Sequence, residues 1–499
     1  MIEENKSSMK NSVRRIIIAG IGVLIQIIWV VVLLMRLNEY SQIITLLTVA
    51  IELVLVLAVY SMDTNAAFKL PWIILITVAP IVGICVFFLF GRSGATKKVR
   101  ARYRKIDQQL FAYLNQDEQI IEELSKKDER LANDFKYLWK CASSPVYKNT
   151  DVKYYGDTCD AMAAQLEDMM QAKKFIFLEY HAIEMAESFQ ALRKVLMAKA
   201  REGVEIRILY DDAGCIGFLN PRFIKYMESM GIQCRVFNPI MPVLNIFMNN
   251  RDHRKITVID GKVAYTGGYN LADEYFNITH PYGQWKDSGI RFEGDAVQTA
   301  TILFLEMWNA LREQDVDIEK YLPVYPYKAK EQGFFALYGD SPLDKEPAGE
   351  NVYMNLLRHA KKYIYFTTPY LILSDEMTRE LTGAAKRGVD VRIITPGIPD
   401  KKTIFQVTKS YYPQLLKHGV KIYEYTPGFM HEKQCICDGE IVVVGTINLD
   451  FRSLYLHFED GVWIYKNKVV QDIKDDFTQT MEYCNPVELE FCLNRNIGV

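Results

Sequence analysis

The sequence lacks a strong excess of either charge. Its 499 residues include 59 basic and 61 acidic side chains, which leaves a formal net charge of −2. A chain without a basic excess is not a general binder of polyanions, and we therefore predict no nucleic acid partner. The length is sufficient for two or three domains, each with its own core.

Paired cysteine spacing is missing as well. The nine cysteines are scattered, which is typical of reduced thiols in a compartment that is not oxidising. Cys435 and Cys437 lie two positions apart but have no second pair, which a zinc site would need. Since no group of residues along the sequence has the spacing of metal ligands, we expect no metal and no other cofactor.

Long apolar runs, by contrast, fill the N-terminal part at 16–35, 43–60 and 71–90. The first run is uncharged and long enough to cross a bilayer as a helix. No cleavage site of small residues follows it, and two more runs come next, which disfavours a signal peptide. These runs predict a transmembrane helical region over 1–92 and hence a multi-pass protein of the cell membrane.

Basic residues flank the apolar region on both sides. The larger cluster, between Arg92 and Lys105, places the rest of the chain in the cytoplasm. A smaller one, from Lys6 to Arg15, argues that the amino terminus is also inside, which three full spans do not allow. The number of spans therefore stays open. The larger cluster suits a topology signal and a contact with anionic membrane lipids equally well.

Beyond a polar, helix-favouring connector at 93–150, which we expect to lift the rest off the membrane, the chain repeats itself. Tyr155-Gly156-Asp157 returns as Tyr338-Gly339-Asp340, and Ala172–Phe177 returns as Ala360–Tyr365. Such self-similarity predicts two copies of one domain, at 151–327 and 328–499. Strand patterns at 175–178 and 204–210 enclose a helical pattern at 189–201, which predicts α/β copies with helices flanking a mixed sheet.

Each copy carries the same motif with every internal spacing unchanged. An accidental His-x-Lys pair does not explain two such copies inside a duplicated domain. The motif residues are His253, Lys255, Asp260, Gly267 and Asn270 in the first copy, and His431, Lys433, Asp438, Gly445 and Asn448 in the second.

The motif suits a phosphodiester substrate. Residues two apart on a strand share a face, so the copies, placed face to face, offer two imidazoles and two lysines. One imidazole attacks phosphorus and the other protonates the leaving alcohol, while the lysines, with Asn270 and Asn448, stabilise charge on the phosphoryl oxygens. These cations replace the Mg²⁺ of other phosphoryl-transfer sites. The residues leave open which imidazole attacks; we take His253, with His431 as acid and then base.

Four acidic residues match between the copies. We count Asp260 and Asp438 with the catalytic motif, although their places beside glycines at strand ends favour a supporting function. Asp287 follows the first motif and Glu459 follows the second, in matching positions. A carboxylate bonded to the distal imidazole nitrogen fixes the tautomer and stabilises the imidazolium.

The motifs resemble the paired His-Lys-Asp motifs of the phospholipase D superfamily. Their surroundings, Gly267–Tyr275, Gly445–Ser453 and Phe458-Glu459, are similar to bacterial cardiolipin synthases, and the resemblance extends over nearly the whole chain after about residue 63. It implies two phospholipase D-like domains that face each other. It also implies the condensation of two phosphatidylglycerol molecules, donor and acceptor, into cardiolipin and glycerol through a phosphatidyl-histidine, with Asp287 and Glu459 orienting His253 and His431.

Two departures and one alternative accompany the resemblance. The chain has an additional leading apolar run, and His457 stands where the family commonly has Asn, a change expected to touch little chemistry. The motif alone does not separate transfer from hydrolysis, so a membrane-bound phospholipase D or another phosphatidyltransferase, such as a phosphatidylserine synthase, is the alternative. A silent scaffold is disfavoured because both motifs are complete. The sequence does not predict the oligomeric state.

Overall fold

The computed structural model describes residues 42–90, 97–219, 222–240, 249–312 and 314–490, together with single helical positions between 21 and 35. The chain forms two compact units. One comprises 1–99 with 238–250, and the other comprises 100–237 with 251–499. Both copies of the motif therefore lie in the second unit.

Three apolar helices make up the described N-terminal region: α1 Gln42–Tyr60, α2 Ala66–Val78 and α3 Pro80–Phe90. The run at 43–60 is helical as predicted. The run at 71–90, predicted as one helix, is interrupted at Ala79, whose angles (φ −136°, ψ 71°) leave the helical region. Pro80 is the physical reason, because a proline ring disfavours helical backbone angles in the residue before it.

Most of the predicted run at 16–35, and Arg92 of the basic cluster, lie outside the described residues. Within the described part of the chain, no helix combines the length and the apolar character that crossing a membrane requires. The transmembrane region over 1–92 thus stays a prediction.

The connector is helical where it is described, with α4 Lys97–Leu110, α5 Glu118–Lys127 and α6 Glu129–Ala142. On α6, Leu131, Phe135 and Leu138 recur at helical spacing and are buried in the core that contains the second sheet. Phe135 packs on Trp463 with 5.0 Å between ring centroids. This helix therefore has an apolar face and buries it against the second repeat, a contact that the prediction of a connector did not include.

The first repeat contains a seven-stranded mixed sheet, as predicted. Its strands are β1 Thr150–Tyr155, β2 Phe175–Tyr180, β3 Glu205–Asp211, β4 Gln233–Phe237, β6 Lys255–Ile259, β7 Val263–Gly267 and β9 Gly289–Gly294, with β5 Arg251–Asp252 and β8 Gln284–Lys286 outside the sheet. The order is β1-β9-β7-β6-β2-β3-β4. Only β2–β3 and β3–β4 are parallel pairs.

The second repeat has the same order of strands with one addition. Its strands are β10 Phe334–Asp340, β11 Tyr363–Thr367, β13 Asp390–Pro396, β14 Lys421–Tyr425, β16 Gln434–Cys437, β17 Ile441–Gly445, β19 His457–Tyr465 and β20 Cys484–Pro486, with β12 Leu371–Ile372, β15 Gly428–Met430 and β18 Leu449–Asp450 in small sheets. The order is β10-β19-β17-β16-β11-β13-β14-β20. The first seven strands of this order correspond one by one to the seven strands of the first sheet. The duplication seen in the sequence is therefore also a duplication of the fold.

Helices flank both sheets. They are α7 Thr158–Gln171, α8 Glu187–Arg201, α9 Phe223–Glu228, α10 Val297–Leu311, α11 Ala348–His359, α12 Asp375–Lys386, α13 Lys402–Lys417, α14 Phe451–Leu456 and α15 Val469–Met481. α10 is buried almost throughout and packs against strands of the first sheet and against β10. The eight cysteines that the structure describes are all free thiols.

Candidate active site

A short parallel pairing between the repeats places the first motif histidine. β5 pairs with the start of β19, so that Asp252 lies opposite Phe458. His253 continues this register, because its backbone N–H donates to the Phe458 carbonyl at 2.9 Å. In a parallel pair the next residues stay side by side, which brings His253 next to Glu459 of the other repeat.

The second histidine is placed in the same way. β15 pairs in parallel with β8, and Met430 lies opposite Lys286. The backbone N–H of His431 donates to the Lys286 carbonyl at 2.8 Å. The next residue of the first repeat is Asp287, so His431 also meets a carboxylate of the other repeat.

Both imidazoles are hydrogen-bonded across the repeats. His253 Nδ1 lies 2.8 Å from Glu459 Oε2, and His431 Nδ1 lies 2.5 Å from Asp287 Oδ2. The two carboxylates are buried, at 0% and 2% exposure. Each contact fixes the orientation of a ring and stabilises its protonated form. The sequence identified these four residues, but it did not show that each pair crosses from one repeat to the other.

The two motif lysines are buried beside the histidines. Lys255 Nζ donates to the His253 carbonyl at 2.6 Å. Lys433 Nζ donates to the His431 carbonyl and lies 2.8 Å from His431 Nδ1. Because Nδ1 either donates or accepts, Lys433 competes with Asp287 for that nitrogen. The protonation of His431 is therefore coupled to that of Lys433.

The two motif asparagines differ in their partners. Asn270 Oδ1 accepts from the Ala182 N–H at 3.1 Å, and its Nδ2 donates to the Tyr275 hydroxyl at 2.8 Å. The buried Asn448 Oδ1 makes no hydrogen bond within the described residues. Among the described residues, the two motif asparagines thus differ in that the amide oxygen of Asn448 is unpaired and that of Asn270 is not.

Asp260 and Asp438 occupy turns at the far ends of β6 and β16. The Asp260 carboxylate accepts hydrogen bonds from three successive backbone N–H groups at the start of β2, and Asp438 does the same at the start of β11. Both have φ of 53°, a left-handed conformation that Asp tolerates better than most residues. Their carboxylates thus tie each turn to a neighbouring strand and do not contact the imidazoles.

Burial dominates the protonation of the site. It lowers the pKa of His253 to about 3 against the opposing charge of Glu459, and that of His431 to about 4, with Lys433 adding to the decrease. Burial also lowers the pKa of Lys433 to about 7 and lowers that of Lys255. Without a bound anion, both imidazoles are therefore neutral at pH 7 and carry an unprotonated nitrogen.

This arrangement is suited to displacement at phosphorus. A neutral, oriented imidazole is a nucleophile, and a second one is a proton carrier. Glu459 and Asp287 stabilise the positive charge that either ring gains, and buried lysines stabilise negative charge on phosphoryl oxygens. Neither repeat alone contains a histidine together with the carboxylate that orients it.

The chain matches a known family in both repeats. The family described as "Cardiolipin synthase, PLD-like domain" matches residues 166–308 and 353–481. A cardiolipin synthase of Halalkalibacterium halodurans is 32% identical, with 92% of this chain and 90% of that protein covered. The chain belongs to the cardiolipin synthase family of phospholipase D-like proteins. An uncharacterized protein of Streptococcus mutans is 42% identical over 86% of this chain and 92% of its own length.

A solved structure shares the fold that this family predicts. The phosphatidylserine synthase of Haemophilus influenzae aligns with a TM-score of 0.56 and 12% identity, covering 72% of this chain and 93% of that chain. At that identity the likeness extends to the fold alone. The family and this likeness agree with the two mixed sheets described above.

The surroundings of the two histidines differ in a way that the family pattern did not reveal. His431 lies among aromatic rings, with centroids 5.1 Å away for Trp285 and 5.3 Å away for Tyr275. His253 lies between two further imidazoles, with centroids 5.1 Å away for His181 and 5.4 Å away for His457.

His457, the position of the departure noted in the sequence, lies beside the candidate site. Its Nδ1 lies 3.5 Å from Glu459 Oε1, on the carboxylate that orients His253. Side chains two residues apart on a strand point to the same face, so the sequence alone could have indicated that His457 lies next to Glu459.

No group of residues has metal-ligand spacing along the sequence, but the structure brings such a group together in space. His253, His457 and Glu459 each place one donor atom within 4.8 Å of the others. Sequence spacing did not show this group because its members come from different repeats. His253 follows β5 of the first repeat, whereas His457 and Glu459 lie on β19 of the second, with which β5 pairs.

Proposed function

We propose that this chain is a cardiolipin synthase that converts two molecules of phosphatidylglycerol into cardiolipin and glycerol. The observation that carries the proposal is the pair of crossed histidine–carboxylate contacts, which makes one site from two repeats. Family membership over both repeats supports the same activity.

In the first half-reaction, Nε2 of one histidine attacks phosphorus of the donor lipid. A P–N bond forms, the P–O bond to the glycerol headgroup breaks, and the departing oxygen takes a proton from the second histidine. Lys255 and Lys433 stabilise the phosphoryl oxygens, and we propose Asn448 and Asn270 as further groups at the phosphate. Because both imidazoles are neutral before the donor lipid binds, the second histidine takes up a proton from solvent when the phosphate anion of the lipid raises its pKa.

In the second half-reaction, that histidine, now neutral, removes a proton from the headgroup hydroxyl of a second phosphatidylglycerol. The oxygen attacks phosphorus, the P–N bond breaks and the first histidine is regenerated. We assign His253 as the nucleophile and His431 as the acid and then the base. Trapping the phosphatidyl adduct on His431 reverses this assignment without changing the overall reaction.

Headgroup-labelled and acyl-labelled phosphatidylglycerol test the activity with the detergent-solubilised full chain. Labelled cardiolipin together with free glycerol supports transfer. Phosphatidic acid as the sole lipid product indicates a phospholipase D, and the absence of product contradicts an enzyme acting on this lipid.

Replacing either motif histidine tests the two-imidazole mechanism. We expect H253A and H431A each to lower turnover by at least about 10³-fold, because each half-reaction needs both rings. H418A is the matched control, since His418 lies at the end of α13 outside the site. Activity near the control in either motif variant contradicts the mechanism.

We also propose that the apolar N-terminal region anchors the chain in the cell membrane and that the repeats lie on its cytoplasmic side. The apolar helices α1 to α3 and the basic residues of α4 support this placement. A cysteine introduced at Lys126 in the exposed surface of α5 provides the test. Labelling of that cysteine by an impermeant maleimide from outside intact cells contradicts the cytoplasmic assignment, and labelling only after lysis supports it.

A further inference from the structure

His457 has a position that the proposed reaction does not use. Its ring is largely buried; its Nδ1 lies 3.5 Å from Glu459 Oε1, and its Nε2 makes no hydrogen bond within the described residues. Buried polar groups without partners are uncommon in folded proteins. The first repeat has Trp285 at the matching position, two residues before Asp287, where His457 stands two residues before Glu459.

Three donor groups meet at His457. His457 and Glu459 lie two residues apart on β19 and so share a face of the strand, while β5 pairs in register with this strand and presents His253. One donor atom from each residue lies within 4.8 Å of the others. In a tetrahedral zinc site with bonds of 2.0–2.1 Å, ligand atoms are about 3.4 Å apart. The donor atoms therefore have to approach one another by at most about 1.4 Å to reach this geometry.

We propose that His253, His457 and Glu459 bind one divalent transition-metal ion of the Zn²⁺ class. Two imidazoles and one carboxylate form a known zinc ligand set that leaves a fourth position open for water or an anion. Imidazole ligands select Zn²⁺, Co²⁺ or Ni²⁺ over Mg²⁺ and Ca²⁺, which prefer oxygen. Because Trp285 replaces the second imidazole in the other half of the site, the stoichiometry is one ion per chain.

The charges around this group permit a dication. The positive charge of Lys255 disfavours a second cation here, because Lys255 Nζ lies close to His253 and donates to its carbonyl. Glu459, Asp460, Asp287 and Asp252 surround that lysine and stabilise its positive charge. Glu459, whose pKa is lowered by the neighbouring imidazoles against the effect of burial, is ionised and offsets part of the charge of a metal ion.

Metal binding has a direct consequence for catalysis, and this part of the inference rests on the proposed function. The ion occupies His253 and Glu459, so it removes an imidazole that both half-reactions need. Zn²⁺ is thus an inhibitor that competes with the lipid phosphate, and a chelator restores activity.

Co²⁺ titration of the chelator-treated full chain tests binding without an activity measurement, because tetrahedral Co²⁺ absorbs strongly in the visible range. We expect one ion per wild-type chain, displaced by Zn²⁺. H457N should bind at least about 100-fold more weakly, since even losing an outer partner of a metal ligand costs about 10–100-fold. H418N is the matched control and should bind like wild type.

The outcomes separate the site from the reaction. Absence of a one-to-one complex in the wild-type chain overturns the proposal, whatever the variant does. Equal affinity of H457N and H418N overturns it as well, and a thermal melt of each variant without metal establishes that H457N is folded. If the metal ion binds tightly but phosphatidylglycerol turnover is unchanged, the metal site is supported. The catalytic role proposed for His253 is then contradicted.

Discussion

At the scale of single residues, the crossed carboxylates are the contacts that orient the two motif histidines. Glu459 and Asp287 each accept from a histidine of the other repeat. We expect E459Q and D287N to lower kcat about 10²–10⁴-fold, with KM changed much less, because an amide at this place does not stabilise the imidazolium.

Turnover of phosphatidylglycerol at several lipid concentrations separates kcat from KM for these variants. E440Q is the matched control, because Glu440 is an exposed acid in the turn after β16. If E459Q keeps more than half of the control's kcat, the carboxylate does not orient a catalytic ring.

The pH dependence belongs to the same scale. Burial lowers the pKa of Lys433 from 10.5 to about 7, so the amine loses its charge as the pH rises through 7. We therefore expect kcat/KM to fall above about pH 7. Both histidines are already neutral in the free enzyme, with pKa values of about 3 and 4, so no acid limb is expected near 6.5.

The variant K433R tests this assignment, because a guanidinium stays charged at all pH values used. The alkaline limb should move upward by more than about 2 pH units in K433R and stay in place in K262R, which changes an exposed lysine. An alkaline limb that is unchanged in K433R, or a wild-type acid limb near 6.5, contradicts the assignment.

The sequence was sufficient to predict the residues that meet at the candidate site because the motif is local: His253, Lys255 and Asn270 follow one another within one strand pair and its loop. His181 and His457 were not identifiable as neighbours of His253. His181 directly follows β2 and His457 begins β19, and only the pairing of β2 with β6 and of β5 with β19 brings them together.

At the scale of elements, Asp260 and Asp438 stabilise the strands that carry the motif. Each carboxylate accepts from three backbone N–H groups. D260A leaves those groups without this partner and places Ala at φ 53°, so we expect a loss of about 2–4 kcal/mol in the free energy of unfolding. The thermal midpoint should fall by several degrees, while kcat per folded molecule stays near that of wild type.

D260N is the informative companion, because Asn tolerates the same φ but carries no charge. Its stability should lie between those of wild type and D260A. A large loss of kcat in folded D260N would instead place this carboxylate in the chemistry.

Strands and helices of the repeats followed from local patterns, and the structure confirms them at 175–180, 205–211 and 187–201. The division at Ala79 was also visible in principle, since Pro80 acts on the residue before it. The packing of α6 was not visible. Its apolar stripe shows that the helix packs against something, but not that the partner is the second repeat, whose β10 begins almost two hundred residues later along the chain.

At the scale of the whole molecule, the site is complete within one chain. Both histidine–carboxylate pairs, and the short parallel pairings that set them, join the two repeats of the same polypeptide. The duplication was readable from the sequence, whereas the exchange of carboxylates depends on the register of β5 with β19 and of β8 with β15. Two-residue and three-residue strands carry too little pattern to predict such a register.

A complementation experiment tests this completeness. H253A and H431A chains, co-expressed with different affinity tags and purified through both, should stay as inactive as either variant alone, because neither chain has an intact pair of rings. Wild type mixed with H253A in the same way is the control and should retain the activity of its wild-type share. Recovery toward a quarter or more of wild-type turnover in the H253A and H431A mixture would mean that repeats exchange between chains. The site would then form between two copies, and its assembly would depend on concentration.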